Sequence, residues 1–144
     1  MKISFDTNVV VHACNDVSPQ QAAAVKFIES LALRQDVAVS EFMLVEVYLK
    51  LRNSKIFPDP MTAPEAAAVC QSFRSNANWE LISEGPMMDD VWKQAAKKNF
   101  AIRRIVDLRF GLSLIRHGVT EFATANIKDF EGIGFNRVWN PLVV

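Results

Sequence analysis

Cysteine is nearly absent. Only Cys14 and Cys70 occur, far apart and in no CxxC pair, which argues against a disulfide framework or a zinc knuckle and suits a reducing cytoplasm. An excess of charge of either sign is also lacking. Lys plus Arg and Asp plus Glu each number 16, so whole-molecule attraction to nucleic acid is not expected and any such binding needs a local basic patch. Long apolar runs are missing too: "FMLVEVYL" is broken by Glu46, far short of the ~18 uninterrupted apolar residues of a membrane span. The start, "MKISFD", meets an acid too soon for the apolar core of a signal peptide. The five glycines make no phosphate-binding loop, and the chain has neither GxSxG nor a Cys/His arrangement for covalent catalysis. A soluble, cytoplasmic protein with no membrane association is expected.

What is present is a core. Half the residues are hydrophobic and 22% are charged, too apolar for disorder. At 144 residues, the chain has the length of one domain, residues 1–144. "KISF" reads as a first strand. Ser18 as N-cap, Pro19 and Gln21 open a helix through "SPQQAAAVKFIESLALR". "VAVS", residues 37–40, is a second strand, followed by the helix "EFMLVEVYLKLRN", apolar nearly all round and therefore expected to be deeply buried. Thr62 and Glu65 make a capping box for a helix through Phe73. "WELI" is a third strand, and Asp89 caps a helix "DVWKQAAKKNF". "DLRFGLSLIRHG" carries Leu108, Gly111, Leu112 and Ile115 on one helical face, with Gly118 placed to end it. "TEFAT" is a fourth strand and "RVWN" a short fifth.

Strands alternating with helices imply an α/β fold, a mostly parallel sheet with helices on both faces. Such sheets bind ligands in the crevice outside the carboxyl ends of their strands. Asp6 stands at the end of the first strand, where it could be a surface residue, an N-cap for a helix starting at Thr7, or part of a site. Glu46 lies on the most apolar helix; a bland pair with Lys50 contributes only ~0.2–0.5 kcal/mol, too little to explain it. Asp107 reads equally well as an N-cap or as the surface partner of Arg103, Arg104 or Arg109. Thr124, Asn126 and Asp129, in "TANIKDF", suit a turn and also offer oxygen ligands. Each bland role is credible alone; the joint placement at strand ends is harder to dismiss.

If Asp6, Glu46, Asp107 and Asp129 meet, adjacent pairs repel by about 4 kcal/mol at ~4 Å and an effective dielectric near 20. Such a cluster raises its pKa values or takes a cation. Oxygen ligands without His or Cys point to Mg²⁺ or Mn²⁺. That metal suits in-line displacement at a phosphate ester, with Thr7, Asn8, Thr124 and Asn126 orienting ligands, waters or the phosphate. Basic residues flank the acids in sequence: Lys50, Arg52 and Lys55, then Lys97, Lys98, Arg103, Arg104 and Arg109. They are either solvated faces or the wall of a phosphate-tracking groove. His12 and His117 read as surface or half-buried side chains.

"SFDTNVVVHA", "VSEFMLVEVYLKLRN" and "RRIVDLRFGLSLIRHGVTEFATANIKDFEGIGFNRVWNPL" together resemble the PIN-domain ribonucleases, specifically VapC-type toxins of bacterial toxin–antitoxin modules. The resemblance covers essentially the whole chain and implies a PIN-like three-layer fold around a four- to five-stranded sheet. By that resemblance Asp6, Glu46 and Asp107 match the family's metal-binding acids. Many PIN domains carry Asp where this chain has Asn126, so the fourth acid maps to Asp129, with Asn126 a neutral ligand or water-positioner. The resemblance further implies a Mg²⁺- or Mn²⁺-dependent endoribonuclease, an RNA substrate, a homodimer, and inhibition by a cognate VapB-type antitoxin. Two alternatives keep the same fold: a nuclease of RNA maturation without a toxin role, and a catalytically inactive module that binds RNA or protein. An aspartate-based phosphatase would need Asp at position 8, which is Asn, and an aspartic protease would need Asp-Thr-Gly in a mostly β chain.

Overall fold

Among the described residues, five short strands and seven helices follow one another: β1 Lys2–Phe5, α1 Thr7–Ala13, α2 Gln21–Leu31, β2 Ala38–Ser40, α3 Glu41–Leu51, α4 Ala63–Arg74, β3 Glu80–Ile82, α5 Met88–Ala95, α6 Arg104–Arg116, β4 Val119–Ala123, α7 Ile127–Phe130 and β5 Arg137–Trp139. The structure is a computed structural model, and it describes residues 2–83, 88–98, 100–101 and 104–143. All strand pairs are parallel: β1 with β4, β4 with β5, and β2 with β3. The two resulting sheets join at one parallel bridge, Ile3 to Val37. The strand order is thus β3-β2-β1-β4-β5, the parallel α/β arrangement that the alternation predicts. None of the described helices is long and apolar enough to cross a membrane.

Residues paired across a parallel ladder point the same way, and neighbours along a strand point oppositely. Phe122 pairs with Ser4, so it faces away from the side that Phe5 occupies. Phe5 meets Phe73 of α4 at 6.0 Å and Trp79 at 5.8 Å. On the other face, Phe122 meets Phe110 of α6 at 5.5 Å, Phe130 of α7 at 4.6 Å and Phe135 at 5.1 Å. Helices therefore cover both faces.

The capping box at Thr62 is present, with Glu65 N–H donating to the Thr62 hydroxyl and Thr62 N–H to the Glu65 carboxylate. Gly118 ends α6 with φ of 86°, a left-handed conformation that glycine adopts without a Cβ clash. Other boundaries differ from the sequence reading. Helix α2 starts at Gln21, not at Ser18. The Ser18 hydroxyl accepts from Gln20 N–H and bonds His12 Nδ1 at 2.8 Å, so it closes the preceding turn instead. Helix α5 begins at Met88, so Asp89 lies inside it, and the residue before the helix is outside those described. It also stops at Ala95 rather than Phe100: Lys97 N–H to Gln94 O and Phe100 N–H to Lys97 O are turn bonds. Helix α3 is buried only along Met43, Leu44, Val47 and Leu51, while Val45 and Leu49 are more than half exposed. On α6 the buried residues include Phe110 and Leu114, whereas Leu112 and Ile115 are half-buried.

Phe122 joins α6, α7 and the sheet in one aromatic cluster with no solvent exposure. Truncating a buried phenylalanine removes its transfer energy and leaves a cavity. Phe122→Ala is expected to lower unfolding free energy by about 3–5 kcal/mol in urea denaturation, with little change in denaturant slope. A cost below about 1 kcal/mol would mean the cluster does not carry this half of the core.

Candidate active site

Because β1, β2 and β4 are parallel and adjacent, their carboxyl ends open on one edge. Asp6 follows Phe5 there. Its amide donates to Ala123 O at 2.9 Å, extending the ladder by one residue. Its carboxylate does two jobs at once. Oδ1 accepts from Thr7 N–H at 2.7 Å and caps α1; Oδ2 accepts from the Thr124 hydroxyl at 2.8 Å and from Asn8 Nδ2 at 3.3 Å. Capping and site membership, alternatives in the sequence, are one arrangement in the fold. Asp6 is buried, at 7% exposure.

The polar neighbours form a connected brace. Thr7, also buried, donates its hydroxyl to Glu46 Oε2 at 3.0 Å and so ties α1 to α3. Asn8 Oδ1 accepts from Ala125 N–H at 3.2 Å, and the Thr124 hydroxyl accepts from Asn126 N–H at 3.0 Å. Together they hold the β4–α7 turn, from which Asp129 projects one helical turn later. Asn126 occupies the N-cap position of α7 without a side-chain capping bond. Thr7, Asn8 and Thr124 are therefore placed to orient the acids.

Asp107 sits in the first turn of α6, three residues inside it. It is not the N-cap, because the helix begins at Arg104. Asp107 and Asp129 share a cleft of about 390 Å³ with Ala101 and Arg104. Burial raises the Asp107 carboxyl to about 6, reinforced by the charges of Asp129 and Glu46, while Arg104 and Lys50 oppose the rise. Asp6 is also raised to about 6, chiefly by burial; bonds from Thr124 and Thr7 pull it down, and Asp107 and Glu46 push it up. Asp6 thus feels Glu46 and Asp107, and Asp107 feels Glu46 and Asp129, so Asp107 links the other acids. Among the described residues, no group of three His, Cys, Asp or Glu side chains is drawn together tightly enough to ligate one ion directly.

The basic residues divide. Arg104 and Lys50 act on Asp107; Arg104 also donates to Glu131 O at 3.3 Å. Arg52 donates to the Tyr48 hydroxyl, and Arg109 stacks over the Phe42 ring at 4.6 Å. Arg103 lies outside the described residues. His12 and His117 are both half-buried, bonded to Ser18 and to Ser113 O.

Raised carboxyl pKa values set a pH dependence of stability. Asp6 is near 6 in the folded protein against 3.8 as an ordinary carboxyl. Between those values the native state binds more protons than the unfolded chain, so stability falls as pH rises and levels off above about 6. In chelator, the unfolding free energy of the wild type relative to Asp6→Asn is expected to drop by on the order of 2–3 kcal/mol between pH 4 and 7. A difference independent of pH would remove the electrostatic account of this carboxyl.

No family model matches the chain. Over 140 residues it is 46% identical to Ribonuclease VapC24 of Mycobacterium tuberculosis, in strains CDC 1551 / Oshkosh and H37Rv, covering 97% of both this chain and the relative. In fold it is similar to Mycobacterium tuberculosis VapC20, described as a sarcin-ricin loop cleaving toxin, with TM-score 0.63, 15% identity, and coverage of 84% and 87% of the two chains. It is also similar to a chain of FitAB bound to the IR36 DNA fragment, with TM-score 0.65, 17% identity, and coverage of 99% and 96%. The 46% identity to VapC24 along nearly the whole chain, with the parallel α/β fold that the sequence anticipated, places this protein in the VapC family of PIN-domain ribonucleases.

Proposed function

We propose that the chain is an endoribonuclease whose reaction depends on Mg²⁺ or Mn²⁺ held by Asp6, Glu46, Asp107 and Asp129. The supporting observation is that Asp107 and Asp129 share one cleft, while Asp107 also feels Glu46 and Asp6 feels both Glu46 and Asp107, with Asp6 and Asp107 raised to about 6. The donor chemistry fits: all ligands are oxygens, and the acids outnumber Arg104 and Lys50, the cations that offset Asp107. A hard divalent cation retains several waters and reaches carboxylates through them, so it does not need a tight ready-made cage.

When bound, the ion supplies a polarised water and offsets charge at the scissile phosphate. The chain's own residues do the positioning. Asp6 is fixed by Thr7, Asn8 and Thr124, so its carboxylate cannot swing away on loss of a proton. The Thr7 hydroxyl orients Glu46. Asp107 and Asp129 face the open cleft where a phosphodiester can enter, and Arg104 stands beside them to meet its negative oxygens.

The toxin role belongs to the same proposal: growth arrest by RNA cleavage in the cytoplasm, action as a homodimer, and neutralisation by a cognate VapB-type antitoxin. VapC20, which shares the fold, is itself described as a toxin. The absence of three tightly gathered acids among the described residues favours a second reading, a PIN-like module that binds RNA without cutting it.

Metal addition separates the two. Mn²⁺ at millimolar concentration is expected to raise the melting temperature at pH 7.5 and not at pH 4.5, where protons occupy the same carboxylates. RNA cleavage should stop on chelation. Asp107→Asn should fold, melt no lower than wild type without metal, and cut at least about a hundredfold more slowly. Undiminished cleavage by Asp107→Asn, or by the wild type in chelator, would overturn the metal mechanism.

A further inference from the structure

The acid cleft is the middle of three cavities in a row. Asp129 is shared with a cavity of about 420 Å³ formed by residues 125–129. On the other side, Ala101 and Arg104 are shared with a cavity of about 350 Å³. This last cavity has a different character. Its floor is apolar, made by Leu108, Leu112 and Ile133, and Lys97, Lys98 and Arg104 supply three cations. Phe100, half-buried, also lines it. The two lysines are exposed. They stand here because α5 ends at Ala95 and the chain then turns at Lys97 and again at Phe100.

We propose that this basic, apolar-floored cavity is a nucleotide subsite of the ribonuclease. The unpaired base next to the cleaved bond stacks on Phe100, and the phosphate beyond it lies against Lys97 and Lys98. Arg104, common to both cavities, holds the phosphate between them. The occupant follows from the chemistry. An aromatic side chain beside apolar lining accepts any base without hydrogen-bond readout, and flanking cations track the backbone. A chain of zero net charge can attract RNA only through such local patches, and this one adjoins the acids. The inference deepens the ribonuclease reading and rests on it; Lys97, Lys98 and Phe100 are substrate-positioning residues and are not needed for the chemical step.

The test uses full-length protein with Mn²⁺ and a short unstructured oligoribonucleotide of mixed sequence. Lys97→Ala/Lys98→Ala is expected to raise KM roughly tenfold with kcat unchanged. It should also flatten the slope of log affinity against log salt by about 1.4, two phosphates at ~0.7 each for a single strand. Phe100→Ala should raise KM by a similar factor, and Phe100→Trp should restore it, as stacking allows and a merely structural role does not. Lengthening a minimal substrate by one nucleotide on one side should improve kcat/KM in wild type and not in Phe100→Ala. If the wild type cuts and both sets of variants keep its KM and salt slope, the subsite is wrong and the nuclease reading survives. If the variants lose affinity for an acidic polyglutamate peptide and none for RNA, the cavity serves a protein partner and the inference falls. If the wild type cuts no RNA in Mn²⁺, the failure lies with the nuclease reading itself.

Discussion

A buried carboxylate that cannot be left without partners governs this structure. Asp6 is tied to three other residues through both of its oxygens, and those ties join the start of α1 to the turn after β4. Removing a charged group from water is costly unless hydrogen bonds replace the lost hydration. The brace of Thr7, Asn8 and Thr124 supplies those bonds. It offsets only part of the cost, because burial and the neighbouring acids still raise Asp6 to about 6. The remaining electrostatic tension is what a divalent cation would relieve. Under the proposed metal mechanism, stability and activity would be coupled at one point, since the burial that raises Asp6 in the metal-free fold is what a bound cation would offset.

The parallel sheet makes the convergence geometric. Asp6 and Thr124 follow adjacent strands, so they open on one edge. Glu46 reaches that edge from α3 through Thr7, and Asp107 from the first turn of α6. Asp129 arrives on α7, whose leading turn is held by Asn8 and Thr124. No single element carries more than one of these acids. A change far from the cleft that tilts α6 or α7 would alter the spacing of the carboxylates, which connects the aromatic cluster around Phe122 to the site.

Much of this was legible in advance because it follows from local rules. The first strand, the Thr62–Glu65 capping box and the Gly118 stop appear where local chemistry puts them. The misplacements share a cause, since local signals were read without the turns that compete for the same groups. Ser18 has cap chemistry, yet its hydroxyl serves His12 and Gln20 in a turn. Asp107 has N-cap character, yet α6 starts three residues earlier. Lys97, Lys98 and Phe100 read as part of a helix end, whereas in the fold they line a cavity. The apolar character of α3 suggests burial all round, but packing covers one side only and leaves Val45 and Leu49 open.

By itself the sequence determined the alternation of strands and helices, the supply of isolated acids and the lack of soft metal ligands, since residue type and spacing encode these directly. Only the tertiary structure decided which acids feel one another, which basic residues face them and which are turned onto aromatic rings. Those outcomes depend on through-space distance and burial. Both are properties of packed elements that meet from opposite ends of the chain, as Asp6 and Thr124 do across 118 positions.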